Sequence, residues 1–255
     1  MIIYEPTGKA REYSPLALNV YNGCDHGCRY CYVAKMFFAK RYDKPTPRKD
    51  IITTLKRELT RVKPDKQVLL SFMCDPYCNA DQQLRVTREV LKVLCDHDVK
   101  TAILTKGGSR SLVDMDIIKK FKSIKIGATL TFENELDSDG KEPGAAMPSD
   151  RLSALEQFHN VGIKTFASME PVIFPKQTIS MIWRSLPYVD QYKIGKLNHY
   201  PEHEKMIDWS AFLEEVINIL RPYKKDFYIK KDLRDKCPNI SLTPQESDMD
   251  FLSLK

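Results

Sequence analysis

From residue 67 onward, short apolar runs alternate with stretches whose apolar residues recur every three or four positions. The runs at 67–73, 100–105, 124–131, 163–169 and 189–194 predict strands, and the stretches at 86–97, 112–121, 149–161, 179–186 and 209–220 predict helices. Upstream, a weaker alternation at 16–21 predicts a first strand. VAKMFFAKRY (33–42) has helical spacing, and 50–62 predicts a helix with Asp50 near its start. Residues 227–229 predict a last short strand. Apolar strands alternating with helices imply right-handed βαβ units around a parallel sheet. About six such units make an α/β fold of the open kind, a partial (β/α)6 TIM-like barrel. An extra N-terminal helix and a C-terminal extension flank it.

This reading divides the chain into an N-terminal arm (1–15), the barrel (16–230) and a C-terminal tail (231–255) that wraps the barrel or stays loose. The segment 134–148, with two glycines and two prolines, is the longest loop and a candidate lid where the strand ends converge. At 255 residues the chain can bury a full core, and its 29% charged residues are ordinary for a soluble globular protein. No apolar run is long enough to span a membrane and no leader is recognisable. Seven cysteines, three of them clustered, favour a reducing compartment, so the expected location is cytoplasmic with no membrane partner.

The net charge of +6 is uneven: residues 1–66 carry 14 Lys/Arg against 7 Asp/Glu, and the other 189 carry 26 against 27. A second basic cluster runs from Arg221 to Lys236. Basic patches beside a site attract phosphates, which favours a nucleotide or nucleic-acid substrate; a solvated lysine-rich surface is the alternative.

The chemistry concentrates in NVYNGCDHGCRYCYV (19–33), where Cys24, Cys28 and Cys31 are separated by three and then two residues. Such gaps let one loop wrap a metal centre. A four-iron cluster normally takes four thiolates, and here the next cysteine, Cys74, is far along the chain. Three protein ligands would leave one iron open to a cofactor. A structural zinc loop is the alternative, although zinc sites close with a nearby fourth Cys or His, and His26 sits too tightly between its neighbours to serve.

Cys24-x3-Cys28-x2-Cys31, with aromatic Tyr30 before the last cysteine, resembles the signature of the radical S-adenosylmethionine (SAM) superfamily. The resemblance implies a [4Fe–4S] cluster whose open iron chelates SAM and cleaves it reductively to a 5′-deoxyadenosyl radical that abstracts hydrogen from a substrate. It also implies the partial barrel, with the cluster loop after its first strand, and an external reductant such as flavodoxin or ferredoxin. SFMCDPY (71–77) resembles the strand-two segment of the spore photoproduct lyase-like branch, often labelled DNA repair photolyase-like. There the resemblance assigns Ser71 and Asp75 to the SAM amino group; an Asx-turn is the other reading of Asp75. Thr105-Lys106 after the third strand likewise matches, implying that Lys106 pairs with the SAM carboxylate, with Gly107 and Gly108 letting backbone approach an anion.

Thr129 and Thr131 fall on one strand face and would offer hydroxyls to SAM, or serve only as strand formers. Glu170, at the end of the fifth strand, is a candidate for substrate or adenosine contact. Lys193, Lys196, Asn198 and His199 follow at the sixth. Spore photoproduct lyases carry a hydrogen-donating cysteine near the position of Phe72. This chain instead has Cys74 beside Asp75 and Cys78 beyond it, either a hydrogen donor or an ordinary small residue, so photoproduct repair is not assigned. The alternatives to a nucleotide substrate are a peptide or small metabolite, or a non-catalytic iron–sulfur protein.

Overall fold

The computed structural model describes residues 1–33, 43–198 and 200–255. The helix expected at 33–42 and the candidate His199 lie outside the described residues, the former but for its first residue.

Among the described residues, seven strands form one sheet, each parallel to its neighbour: β1 (Leu16–Leu18), β4 (Val68–Leu70), β5 (Thr101–Thr105), β6 (Ile124–Thr129), β7 (Lys164–Val172), β8 (Gln191–Lys196) and β9 (Asp226–Ile229). The strand at 227–229 is therefore a full seventh member, paired along its length with β8. The first strand is shorter than expected: Tyr21 leaves it for a separate antiparallel pair, β2 (Tyr21–Asn22) with β3 (Thr46–Pro47).

Val68–Leu70 and Ile124–Thr129 are buried throughout, because helices cover one face of a parallel sheet and the barrel interior the other. The covering helices bury an i, i+3, i+4 stripe. In α1 (Ile51–Arg61) the stripe is Ile51, Leu55 and Leu59. The helix over β8 and β9 is Trp209–Leu220, whose Phe212, Leu213, Val216 and Leu220 pack among Tyr192, Ile194 and Phe227. The helix expected at 179–186 begins earlier, at Pro175, since proline suits a first turn whose N–H needs no partner. Residues 112–121 are less regular, a 3-10 stretch at Gly108–Asp114 running into a single α-turn at Met115–Ile118.

Both chain ends are docked. At the strand N-terminal ends, the buried Lys125 ammonium donates to Gln191 Oε1 (3.0 Å) and to the Leu252 carbonyl, while Leu254 N donates to Gln67 Oε1 (3.0 Å). The tail thus wraps and plugs one mouth of the barrel. The arm fills the seam between β1 and β9. Glu12 accepts from Tyr228 Oη (2.6 Å) and Lys231 N (2.7 Å), and the buried Lys193 amine donates to the carbonyls of Glu12 (2.6 Å) and Tyr13 (3.1 Å). No described helix is long and apolar enough to cross a membrane.

Burial pulls the Lys193 amine down from 10.5 to about 7, with Lys230 adding to the fall and Glu12 opposing it. Between those values the unfolded chain binds more protons than the folded one, so folding stability rises with pH across that window. Urea midpoints of wild type and Lys193→Met should therefore diverge in favour of wild type as pH rises from about 7, and run parallel below it. A pH-independent difference would mean that the amine is charged inside the barrel.

Candidate active site

At the opposite mouth, where the strands end, a cavity of about 280 Å3 opens. Cys24, Cys28, Cys31, Tyr30, Ser71, Cys74, Asp75, Lys106, Thr129 and Glu170 all line it. Cys78 is fully buried but not in its wall, and Thr131 is also absent from it.

The cysteine loop leaves β2 through Gly23 (φ 90°) and turns again at Gly27 (φ 62°), conformations that a side chain disfavours. Asp25 fastens the loop to the β4 exit, accepting from Asn79 N (2.8 Å) and Ala80 N (2.9 Å). On its other side the loop is stitched to residues 134–148: Arg29 N donates to Lys141 O (2.8 Å) and Gly144 N to His26 O (2.9 Å). His26 is buried and faces Arg110 and Asp75 rather than a fourth ligand position: Nε2 lies 3.2 Å from Arg110 Nη1, and Nδ1 3.5 Å from Asp75. Burial pushes the Cys24 and Cys28 thiols up, Cys28 to about 11 with Lys106 opposing the shift.

Asp75 is engaged by protein on both oxygens. Oδ1 accepts from Thr105 Oγ1 (2.6 Å) and from Tyr77 N (2.9 Å), the Asx-turn geometry, while Oδ2 accepts from Lys106 N (2.7 Å). The carboxylate thereby locks the end of β4 to the end of β5 and aims Lys106. The Lys106 ammonium lies 5.4 Å from the centre of the Tyr30 ring and 3.9 Å from Glu142. The glycines after it serve packing instead of ligand approach. A Cβ on Gly107 would stand 2.7 Å from that of Tyr77, and Gly108 (φ 54°) is crowded by the Asp150 carboxylate. Ser71 Oγ donates to Cys74 O (3.0 Å) and lies 3.1 Å from Cys74 Sγ, to which Tyr21 N also donates (3.4 Å).

Thr129 and Thr131 do not share a surface, because β6 ends at Thr129 and the two-residue period ends with it. Thr131 instead backs the Tyr30 hydroxyl at 3.2 Å. That hydroxyl also donates to Glu142, a carboxylate missed in the sequence because it sits in a glycine- and proline-containing loop. The supposed loop contains a helix, Glu135–Lys141, capped by the Asn134 side chain, and Glu142 follows it inward to pair with buried Arg151. Arg151 also donates to the carbonyls of Thr129 (2.9 Å) and Ala146 (2.7 Å).

The ends of β7, β8 and β9 bring further groups together: Glu170, Ser168, Lys196, Asn198, Lys230 and, from the arm, Lys9 and Tyr13. Tyr13 Oη donates to Glu170 Oε2 (2.6 Å) and lies 2.7 Å from Ser168 Oγ; Lys230 donates to the same Glu170 oxygen (2.6 Å). Lys193 is not in the cavity wall but behind Tyr13. Lys230 was findable, since it ends an apolar strand as Lys106 does. Tyr13 carries no local signal.

A seven-stranded parallel sheet with a three-cysteine loop at its C-terminal mouth defines a class, and comparison supplies the family. The sequence profile of the Radical SAM superfamily matches residues 18–188, so the chain belongs to that superfamily, one of enzymes. An uncharacterised protein of Methanocaldococcus jannaschii is 29% identical over 236 residues, 84% of this chain and 88% of that one. Among solved structures, Streptococcus suis SuiB bound to S-adenosylmethionine superposes with a TM-score of 0.65 at 14% identity over 89% of this chain, which spans only 53% of SuiB. Spore photoproduct lyase complexed with dinucleoside spore photoproduct superposes with a TM-score of 0.65 at 12% identity, over 88% of this chain and 78% of that one. At such identities these structures are alike in fold.

The Glu142–Arg151 pair is almost wholly shielded from water, so removing one partner strands a buried charge. Arg151→Met should cost about 3–5 kcal/mol in urea unfolding. The Arg151→Met, Glu142→Gln double variant should be more stable than the single one. Additive losses would show that the two side chains act independently.

Proposed function

We propose that this chain is a radical SAM enzyme that carries a [4Fe–4S] cluster on Cys24, Cys28 and Cys31, binds SAM at the fourth iron, and acts on a nucleotide or nucleic acid. The observation that carries the reading is the convergence of the three thiols, Lys106 and Ser71 on one cavity at the strand ends. The residues fit the group. Cys24, Cys28 and Cys31 are free thiols that all line the one cavity, the donor type that holds iron–sulfur clusters. His26, the nearest candidate for a fourth ligand, is turned toward Arg110 and Asp75.

When bound, cluster and SAM supply a reducing electron and a hydrogen-abstracting radical. The chain's own residues bind, orient and protect. Lys106 offers a cation to the SAM carboxylate, steadied over Tyr30 and aimed by Asp75. Ser71 and Thr129 line the cavity with hydroxyls for the rest of the cofactor. Thr131 and Glu142 hold Tyr30 in place. Cys74 presents a buried thiol to the cavity as the hydrogen donor, and Glu170 faces the substrate. The basic N-terminal quarter, which includes exposed Arg29, Lys44 and Lys49, supports the nucleic-acid preference. The likeness to spore photoproduct lyase supports the placement in that branch, and a flavodoxin or ferredoxin is the expected reductant.

Anaerobic reconstitution should give about four irons per chain, and dithionite with SAM should release 5′-deoxyadenosine. Cys28→Ala should lose cluster and cleavage together. Lys106→Ala should keep the cluster but weaken SAM binding on the order of ten- to a hundredfold, as loss of a charged hydrogen bond does. A zinc-bound protein, or a cluster indifferent to SAM, would overturn the reading. Binding to single-stranded DNA should weaken steeply as salt rises; salt-independent binding would count against phosphate contacts.

A further inference from the structure

The wall formed by the ends of β7, β8 and β9 is rich in lysine yet offers no unpaired cation among the described residues. Lys230 is held by Glu170 (2.6 Å) and Glu12 (3.6 Å), Lys196 by Glu204 (2.5 Å), and Lys9 by Asp232. Each ammonium already faces a carboxylate, so a phosphate would find no net positive field there.

What the wall does present is an acceptor. Glu170 lines the cavity; its Oε2 is occupied by Tyr13 and Lys230, while Oε1 has no hydrogen-bond partner among the described residues. The carboxylate lies close over the neighbouring strand at Gly195, where a Cβ would stand 2.8 Å from Glu170 Cδ and 2.9 Å from both Glu170 Oε1 and Lys230 Cδ, so only a glycine there leaves it room. A carboxylate pinned by two hydrogen bonds and pressed onto backbone is preorganised, with one oxygen left for a ligand.

We infer that Glu170 Oε1 reads an N–H edge of the substrate, and, resting on the nucleic-acid reading above, that a base extruded from the strand enters the cavity while its phosphates stay outside on the basic N-terminal surface. A carboxylate accepts from ring or amino N–H groups of bases and repels a phosphate. Extrusion is required because the acceptor lies inside the barrel mouth, out of reach of a stacked base.

The test uses the reconstituted protein with SAM and two fluorescein-labelled oligodeoxyuridylates, one unmodified and one methylated at every N3. Uracil in a nucleoside has a single N–H, so methylation removes the only donor. By anaerobic anisotropy the wild type should bind the unmodified strand about tenfold more tightly, the worth of one charge-assisted hydrogen bond. Glu170→Gln keeps the shape, but its amide oxygen is taken by Tyr13 and Lys230, which turns the NH2 toward the cavity. That variant should lose or reverse the preference while keeping the salt dependence. Equal binding of both strands by the wild type, or a preference unchanged in Glu170→Gln, would overturn the inference while leaving the nucleic-acid reading intact. Failure to bind either strand at low salt would overturn that reading and the inference with it.

Discussion

One buried carboxylate connects the parts of this mouth. Glu142 stands at the end of a short helix, is shielded from water, and is met by Arg151, by the Tyr30 hydroxyl and, at 3.9 Å, by Lys106. Burial raises its pKa and Arg151 opposes the shift, so without Arg151 the charged form would be still less favoured. Through Tyr30 the carboxylate holds the residue beside Cys31. Through Arg151 it holds the carbonyl at which β6 ends. The cysteine loop is therefore not a free arm but a surface fixed from behind.

Charge is distributed unequally around the cavity. Near the cysteines, Lys106 and Arg151 stand against Glu142 and Asp75, so cations and carboxylates balance there. Along the ends of β7 to β9, Lys9, Lys196 and Lys230 are matched by Asp232, Glu204, Glu170 and Glu12, so acid is in surplus. The β7–β9 side is therefore the more acidic side of the cavity.

Much of the site was legible because its signals are local. The cysteine spacing sits within eight residues, and Lys106 could be placed by the apolar run before it. What escaped depends on distant partners. Asp75 reads from the sequence as a SAM contact or an Asx-turn, and only the fold shows its oxygens given to Thr105, Tyr77 and Lys106. Glu142 reads as a solvated loop acid until Arg151 arrives from the next helix. Thr131 fails because periodicity says nothing about where a strand stops. Tyr13 could not be found at all, since nothing in an arm of mixed composition says that it will cross the barrel.

That crossing follows from the barrel being incomplete. Seven strands leave a seam between β1 and β9, and the arm that fills it pairs with β1 only at Tyr4, so the carbonyls of Glu12 and Tyr13 are not held by a strand ladder. Lys193 donates to them from inside the barrel, which accounts for a fully buried amine with no carboxylate bonded to it. The same crossing delivers Tyr13 to Glu170. The family match ends at residue 188 and begins at 18, and within it lie the cysteines, Ser71, Lys106 and Glu170. Tyr13, Lys9, Lys196 and Lys230 all lie outside it. The cysteine side of the cavity is thus built from the shared core. The opposing side is built largely from the segments that close the seam, and those are the segments in which a substrate preference can change without disturbing the cysteine loop.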